Sequence, residues 1–259
     1  MSDEGEVRFE RHGARVTLTF DRPDARNAMT WKMYDELEAH CESLADDPEA
    51  RVVVLRGEGG KAFIAGTDIG QFKEFESGED GIDYERRIER IVQKLEALPM
   101  PTIAAVEGYA VGGGLTISAV CDLRVCSSTA KFGLPIARTL GNCVSIENIS
   151  RLVWMIGPTA TKALIYRADF VDAERALALG LATEVVPEGA LGARVDTLCE
   201  QLERHAPLTM AATKELTRRL MLEQLPEDED IIRQVYGSDD FKEGTAAFVE
   251  KRQANWQNR

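Results

Sequence analysis

Alternating apolar and polar residues predict strands in the first half of the chain. Residues 7–20 alternate on both sides of His12-Gly13, which predicts a β-hairpin. Short unbroken apolar runs are typical of strands that are buried on both faces. Such strands are predicted at residues 52–55 and 102–106, and two further strands are predicted at 123–126 and 131–135, the last of them short.

Apolar residues at helical spacing predict the helices. Thr30 is a suitable N-cap for a helix that runs to about residue 45, and residues 82–98 predict an amphipathic helix that Pro99 ends. An apolar helix is predicted at 115–120, and the chain is mostly helical from about residue 145 to 252. Residues 57–70 are predicted as a glycine-rich loop. The pattern indicates an α/β fold with a helical C-terminal region.

Two glycine-containing segments, 63–69 and 105–115, each follow a predicted buried strand. Three consecutive glycines, 112–114, lie between a strand and an apolar helix, where bare backbone N–H groups can approach a ligand closely. Two such donors on one oxygen would form an oxyanion hole. Glycines at such junctions also serve packing and turns. The spacing matches neither a dinucleotide-binding fingerprint nor a phosphate loop.

The net charge and the cysteine content limit which partners and which cellular location are expected. The formal net charge of −13 argues against a nucleic-acid or anionic-membrane partner, although local cations can still hold an anionic ligand. No apolar run is long enough to span a membrane, and the acidic N-terminus does not resemble a secretory signal. Five cysteines without disulfide or metal spacing indicate a reducing, cytoplasmic location and no metal site.

Taken together, several motifs resemble the crotonase (enoyl-CoA hydratase/isomerase) family over nearly the whole chain. They occur in the family's order, so chance is a poor explanation. The matching segments are residues 22–29, 63–69, 101–130, 132–135, 173–180, 241–244 and 247–252.

The resemblance implies a spiral of ββα units followed by C-terminal helices used for trimerisation. We therefore expect an acyl-CoA-binding core at residues 1–200 and a helical region at 201–259 that serves oligomerisation and completes the CoA site. The expected assembly is a homotrimer or a dimer of trimers. The expected ligand is an acyl-CoA thioester; no cofactor is expected to be bound permanently, because coenzyme A arrives as part of the substrate.

The resemblance also implies a set of site residues. The N–H groups of Thr67 and Gly113 would bind the thioester oxygen, and Asp68 would hold its loop through backbone hydrogen bonds. Phe248 and Lys251 would contact CoA, although Phe248 could equally be core and Lys251 a solvated surface charge. The remaining residues implied in substrate and CoA binding are Arg26, Ala28, Ala65, Gly66, Ile69, Gly112, Ile136 and Arg138.

The sequence departs from a typical hydratase at both acid–base positions. Such enzymes carry two glutamates that activate one water molecule, and this chain has Thr116 and Ile136 at those positions. Threonine can hydrogen-bond water but is a poor acid or base near neutral pH, and isoleucine cannot act at all. Hydration by the usual route is therefore not expected.

One other carboxylate is a candidate for the missing chemistry. Glu147 lies near the position from which related isomerases and dehalogenases supply a catalytic aspartate, although it is also a typical first-turn acid of a helix. Arg138 and Asn142 are candidates for polarising a polar acyl group. Cys143 is expected to be inert, because no histidine is placed beside it by the sequence.

Three functional hypotheses follow. The first is an acyl-CoA enzyme that stabilises a thioester enolate and then isomerises, decarboxylates or hydrolyses its substrate. The second is a non-catalytic CoA-thioester-binding homologue, which binds without turnover. A spiral-fold peptidase is disfavoured, since Thr116 and Ser118 have no evident histidine partner.

Overall fold

A six-stranded sheet forms the larger of two sheets in the computed structural model, which describes residues 4–258. The predicted hairpin is confirmed, because β1 and β2 pair antiparallel from Glu6–Asp21 to His12–Arg15. β2, β3, β5, β7 and β10 then run parallel in the order β1-β2-β3-β5-β7-β10. The strands are β1 (Glu6–His12), β2 (Arg15–Asp21), β3 (Val52–Gly57), β5 (Thr102–Val106), β7 (Leu123–Ser127) and β10 (Glu184–Val186).

A smaller sheet contains β4 (Ala62–Ile64), β6 (Tyr109–Val111), β8 (Lys131–Gly133) and β9 (Val171–Asp172) in the order β4-β6-β8-β9. From β3 to β8 the chain therefore alternates between the two sheets, and each pair of strands forms one turn of a spiral. The prediction of an unbroken loop at residues 57–70 is wrong at β4, because a three-residue strand is too short to show alternation.

Ten α-helices connect and cover these sheets in residues 4–258. The predicted cap is confirmed, since the Thr30 hydroxyl accepts a hydrogen bond from Met33 N at 3.3 Å. None of the helices in this range is long and apolar enough to cross a membrane. The helices are α1 (Trp31–Ala45), α2 (Gly78–Glu96), α3 (Gly113–Val120), α4 (Ile136–Thr139), α5 (Ile146–Arg167), α6 (Ala173–Leu179), α7 (Leu191–Glu203), α8 (Pro207–Leu222), α9 (Glu229–Tyr236) and α10 (Asp239–Glu250).

The spiral of ββα units with helices at the C-terminal end is the fold that the resemblance implies. Of the last three helices, α9 packs on α2, and α10 packs on a 3₁₀ helix at Ile69–Glu74. α8 differs, because none of its residues is buried. The division of the chain at residue 200 remains a prediction.

Helix α2 is anchored by a buried ion network. Arg151 of α5 is only 2% exposed and donates to Glu89 at 2.7 Å and to Glu96 at 2.8 Å. Removing one partner from such a network strands a buried charge, which typically costs 3–5 kcal/mol. The network therefore fixes the position of α2 against α5.

The contact between α2 and α9 depends on a glycine. A Cβ on Gly81 would overlap the ring of Tyr236. We expect Gly81→Ala to lower the free energy of unfolding by about 1–3 kcal/mol, as overpacking does. Gly192→Ala in α7 is the matched control, because nothing lies within 4 Å of its Cβ position. Urea unfolding of both variants tests this expectation, and equal stabilities would contradict the packing argument.

Candidate active site

Two loops meet at one edge of the smaller sheet. One follows β4 and contains Gly66 and Thr67; the other follows β6 and opens α3 at Gly113. β4 and β6 are parallel neighbours, so their carboxyl ends lie side by side. Gly66 and Gly112 have φ angles of 98° and 55°, a region that side chains rarely adopt. The turns that bring these loops together therefore favour glycine.

The N–H groups of Thr67 and Gly113 are unused donors in the described residues. Thr67 pairs with Met29 in an isolated β-bridge. The hydrogen bonds of this bridge join Met29 to Gly66 O and to Asp68 N, so Thr67 N takes no part in them. Gly113 is the first residue of α3, where N–H groups have no partner within the helix. A Cβ built on Gly113 would lie 3.8 Å from Thr67 N. The two residues therefore lie against each other, as residues whose N–H groups bind a single oxygen atom must.

The Thr67 side chain is fixed by two tyrosines. Its hydroxyl lies 2.8 Å from the Tyr34 hydroxyl and 3.0 Å from the Tyr84 hydroxyl. Burial raises the pKa of Tyr34 to about 12 and that of Tyr84 well above its usual value, so both phenols stay protonated near neutral pH. The three hydroxyls thus hold the loop rigid rather than supply a base.

Asp68 holds the neighbouring part of the loop. Its carboxylate accepts a hydrogen bond from Gly70 N at 2.9 Å and pairs with Arg22 at 2.8 Å. Arg22 also donates to the Ala28 carbonyl at 3.1 Å. These contacts join the loop at residues 22–28 to the loop that follows β4.

Beside the two donors lies a cavity of about 560 Å³. Phe248 lines it from α10 and is 48% exposed, so it is not simply a core residue. Of the residues expected at the site, the following line the cavity: Arg26, Ala28, Ala65, Gly66, Thr67, Asp68, Ile69, Gly112, Gly113, Thr116, Ile136, Phe248 and Lys251.

Two expected residues lie elsewhere. Glu147 occupies the first turn of α5 and lines a separate surface groove rather than the cavity. Arg138 is exposed on α4 and does not line the cavity either. α4 is a single turn, so Ile136 faces the cavity while Arg138, two residues later, faces away. Neither side chain lines the cavity.

A carboxylate that the sequence analysis missed lies in the cavity wall. Glu85 of α2 is 4% exposed; it accepts hydrogen bonds from the Tyr236 hydroxyl at 2.6 Å and from Ser145 N at 3.1 Å. Burial raises the pKa of Glu85 to about 7, with a smaller contribution from the nearby charges of Glu89 and Asp228. Its carboxyl group can therefore gain or lose a proton near neutral pH.

The signal for Glu85 was present in the sequence. It lies three residues after Ile82 and three before Ile88, on the apolar stripe of the predicted helix. A carboxylate on that stripe is expected to be buried. A buried carboxylate either pairs with a cation or a hydrogen-bond donor, or has a pKa that differs from its ordinary value. Tyr236, its hydroxyl partner, is separated from it by 151 positions and could not be found this way.

Comparison with known proteins decides the family. A model of the family named enoyl-CoA hydratase/isomerase matches residues 10–259. The chain belongs to the enoyl-CoA hydratase/isomerase family.

Relatives of this chain carry out different reactions. A short-chain-enoyl-CoA hydratase of Clostridium acetobutylicum is 32% identical over 250 residues, which cover 95% of each chain. A carnitinyl-CoA dehydratase of Citrobacter koseri is 34% identical over 261 residues and 98% of each chain. A methylmalonyl-CoA decarboxylase in complex with 2-nitronate-propionyl-CoA matches with a TM-score of 0.89 and 29% identity over 98% of each chain. Family membership thus fixes the kind of scaffold but not the reaction.

The raised pKa of Glu85 has a consequence for stability in this family member. Between its ordinary pKa of 4.5 and about 7, the carboxyl is ionised in the unfolded chain and protonated in the folded one. Its contribution is therefore fully present below pH 4.5 and is lost as the pH rises through about 7, a change of roughly 3 kcal/mol. We expect urea unfolding at a series of pH values to show this loss in the wild type relative to Glu85→Gln. A constant difference between the two proteins would contradict the shift.

Proposed function

We propose that this protein is an acyl-CoA enzyme that forms a thioester enolate, whose oxygen is bound by the N–H groups of Thr67 and Gly113. The observation that carries the proposal is the pair of unused donors at the cavity wall. Such donors are worth most where charge develops during the reaction, because they are already oriented. Arg26 and Lys251, which line the cavity of an otherwise acidic protein, would attract the CoA phosphates.

Within this class we propose double-bond isomerisation. Thr116 and Ile136 line the cavity without supplying a carboxylate, whereas Glu85 is a single buried acid with a pKa of about 7. Ionised Glu85 would remove a proton from carbon 2 of a 3-enoyl-CoA, and the electron pair would move into the thioester to form a dienolate. Return of the same proton to carbon 4 gives the 2-enoyl-CoA. One acid–base group is sufficient for this reaction.

Decarboxylation is the second candidate. The similarity to methylmalonyl-CoA decarboxylase and the apolar wall at Leu134, Ile136 and Val144 favour it, since an apolar environment destabilises a carboxylate. Loss of CO₂ would leave the enolate, which protonated Glu85 would then quench. Arg138, the expected cation for orienting the leaving carboxylate, lies outside the cavity, so this reaction ranks below isomerisation.

Mass spectrometry of three separate incubations tests the proposal, with a 3-enoyl-CoA, crotonyl-CoA and methylmalonyl-CoA as substrates. We expect conversion of the 3-enoyl-CoA to the 2-enoyl isomer and no gain of water by crotonyl-CoA. Rapid hydration of crotonyl-CoA would contradict the argument from Thr116 and Ile136. Loss of CO₂ from methylmalonyl-CoA would select the second candidate. Tight binding with no product from any substrate would favour the non-catalytic homologue.

We also propose that the protein assembles as a homotrimer or a dimer of trimers. A depression of about 600 Å³ lies between α3, α5 and α8, and large apolar side chains are exposed on α5 and α8. Trp154, Leu208 and Leu216 are 62%, 82% and 61% exposed, which is typical of a surface that a partner covers. Sedimentation velocity tests the assembly, and a monomer would contradict it.

A cytoplasmic location is part of the same proposal. All five cysteines are free, and four of them are buried. Free buried thiols are compatible with a reducing compartment.

A further inference from the structure

Glu85 forms part of two separate depressions. It lines the cavity described above, and it also lines a groove of about 420 Å³ that Ser145 and Asp228 border. Glu85 is only 4% exposed, and its side chain lies in the wall between the two spaces. We call the second space the rear groove.

The cavity side of this wall is largely apolar, and among the described residues it carries no charged residue other than Glu85 next to Ile88, Leu140 and Val144. Two amides, Asn142 and Asn148, also line the cavity, and they donate to Tyr236 and Ser145, the two partners of Glu85. An acyl chain seated there would displace the water, so solvent protons could not reach Glu85 from the front while a substrate is bound.

The rear side is polar. Glu85 Oε2 accepts its hydrogen bond from Ser145 N, and Ser145 lines the rear groove. Next to it, the Asp228 carboxylate accepts a hydrogen bond from Ile146 N at 2.7 Å. One carboxyl oxygen of Glu85 is thus bonded to a backbone group of the groove itself.

Charged side chains from α2, α5 and the start of α9 line the rear groove. Several of them are committed to ion pairs: Glu89 with Arg151, Arg90 with Glu38, and Arg86 with Glu229. The charged residues that line the groove are Arg86, Glu89 and Arg90 of α2, Glu147 of α5, and Glu227, Asp228 and Glu229 at the start of α9. A space of this polarity and size holds water.

We infer that Glu85 exchanges its proton with solvent through the rear groove while an acyl-CoA fills the cavity. The inference rests on the proposed function, in which Glu85 is the acid–base group. Exchange converts the Glu85 O–H and a D₂O molecule into O–D and HDO, so no further reactant is required. In an isomerisation, the proton removed from carbon 2 would then be partly replaced by solvent hydrogen before it reaches carbon 4.

Infrared spectroscopy in D₂O tests the route without turnover. The C=O stretching band of the protonated Glu85 carboxyl moves when deuterium replaces hydrogen, and the Glu85→Gln spectrum identifies that band. The probe is a non-reacting acyl-CoA analogue in which a methylene replaces the thioester sulfur. We expect exchange to continue when the analogue saturates the wild-type protein. If the analogue binds and deuterium exchange at Glu85 stops, Glu85 does not exchange its proton through the rear groove. That result would leave the proposed function uncontradicted. If the analogue does not bind, both fail.

A blocked groove gives a second, independent readout. Leu225 lines the rear groove and is half-buried, so Leu225→Trp adds bulk there without touching the cavity. Leu222→Trp is the matched control, since Leu222 lies outside both spaces. With a 3-enoyl-CoA deuterated at carbon 2, we expect Leu225→Trp to carry more of the label to carbon 4 than Leu222→Trp does. Equal label transfer in the two variants, both still binding the analogue, would overturn the inference.

Discussion

Replacing Gly113 with proline should lower the turnover number by about 10²–10³ relative to Gly113→Ala, the usual cost of losing one oxyanion donor. Proline has no N–H but is tolerated at the first position of a helix, which Gly113 occupies. Steady-state kinetics on whichever substrate the wild type converts measures the effect.

Alanine is the matched control for this substitution. Both residues add a Cβ, whose ideal position lies 2.7 Å from the Tyr34 hydroxyl, so both variants share that contact. Only proline removes the donor. Equal turnover by the two variants would show that the Gly113 N–H does not bind the developing oxyanion.

Replacing Glu85 with glutamine should lower the turnover number by about 10²–10⁴, the range that a general acid–base group supplies. Glutamine keeps the volume of the side chain and can still accept the hydrogen bond from Ser145 N. The dissociation constant of the non-reacting acyl-CoA analogue should therefore change little.

The control for Glu85 lies on the same helix. Glu79 of α2 is exposed and pairs with Arg233, so Glu79→Gln makes the same chemical change far from the cavity. Its turnover should match that of the wild type. Comparable losses in both variants would mean that α2 as a whole, rather than the Glu85 carboxyl, limits the reaction.

The pH dependence separates the two candidate reactions. Isomerisation begins with ionised Glu85, so kcat/KM should rise with pH and level off above about 7. Decarboxylation ends with proton donation by the neutral acid, so a rate limited by that step should fall above the same pH.

Most of the longer helices and strands can be predicted from the local sequence, because each contains enough residues to show the helical or alternating spacing of its apolar positions. The hairpin and β5 were predicted within a residue or two, whereas β4 and β6 have three residues each and were not. Those two short strands determine where the oxyanion loops meet. Their pairing with each other and with β8 is a long-range contact that no local pattern encodes.

The residues of the candidate site also divide into those that the sequence predicts and those that it does not. Thr67 and Gly113 were predicted because the loops that carry them match motifs of the family, and the structure brings both to one cavity. Glu85 lies on the predicted amphipathic helix and outside the family's motifs, and its partner Tyr236 comes from α9. Glu147 was favoured by sequence position alone, and the course of α5 takes it to the rear groove.

The central claim is that Thr67 and Gly113 stabilise a thioester enolate. The most direct test is the acidity of bound acetoacetyl-CoA, whose enolate has its own ultraviolet absorption band. A pH titration of the complex should give a pKa for the bound β-keto thioester below its value in solution. Gly113→Pro should return that pKa most of the way towards the solution value, while Gly113→Ala should not. A bound pKa equal to the solution value in the wild-type protein would contradict the account.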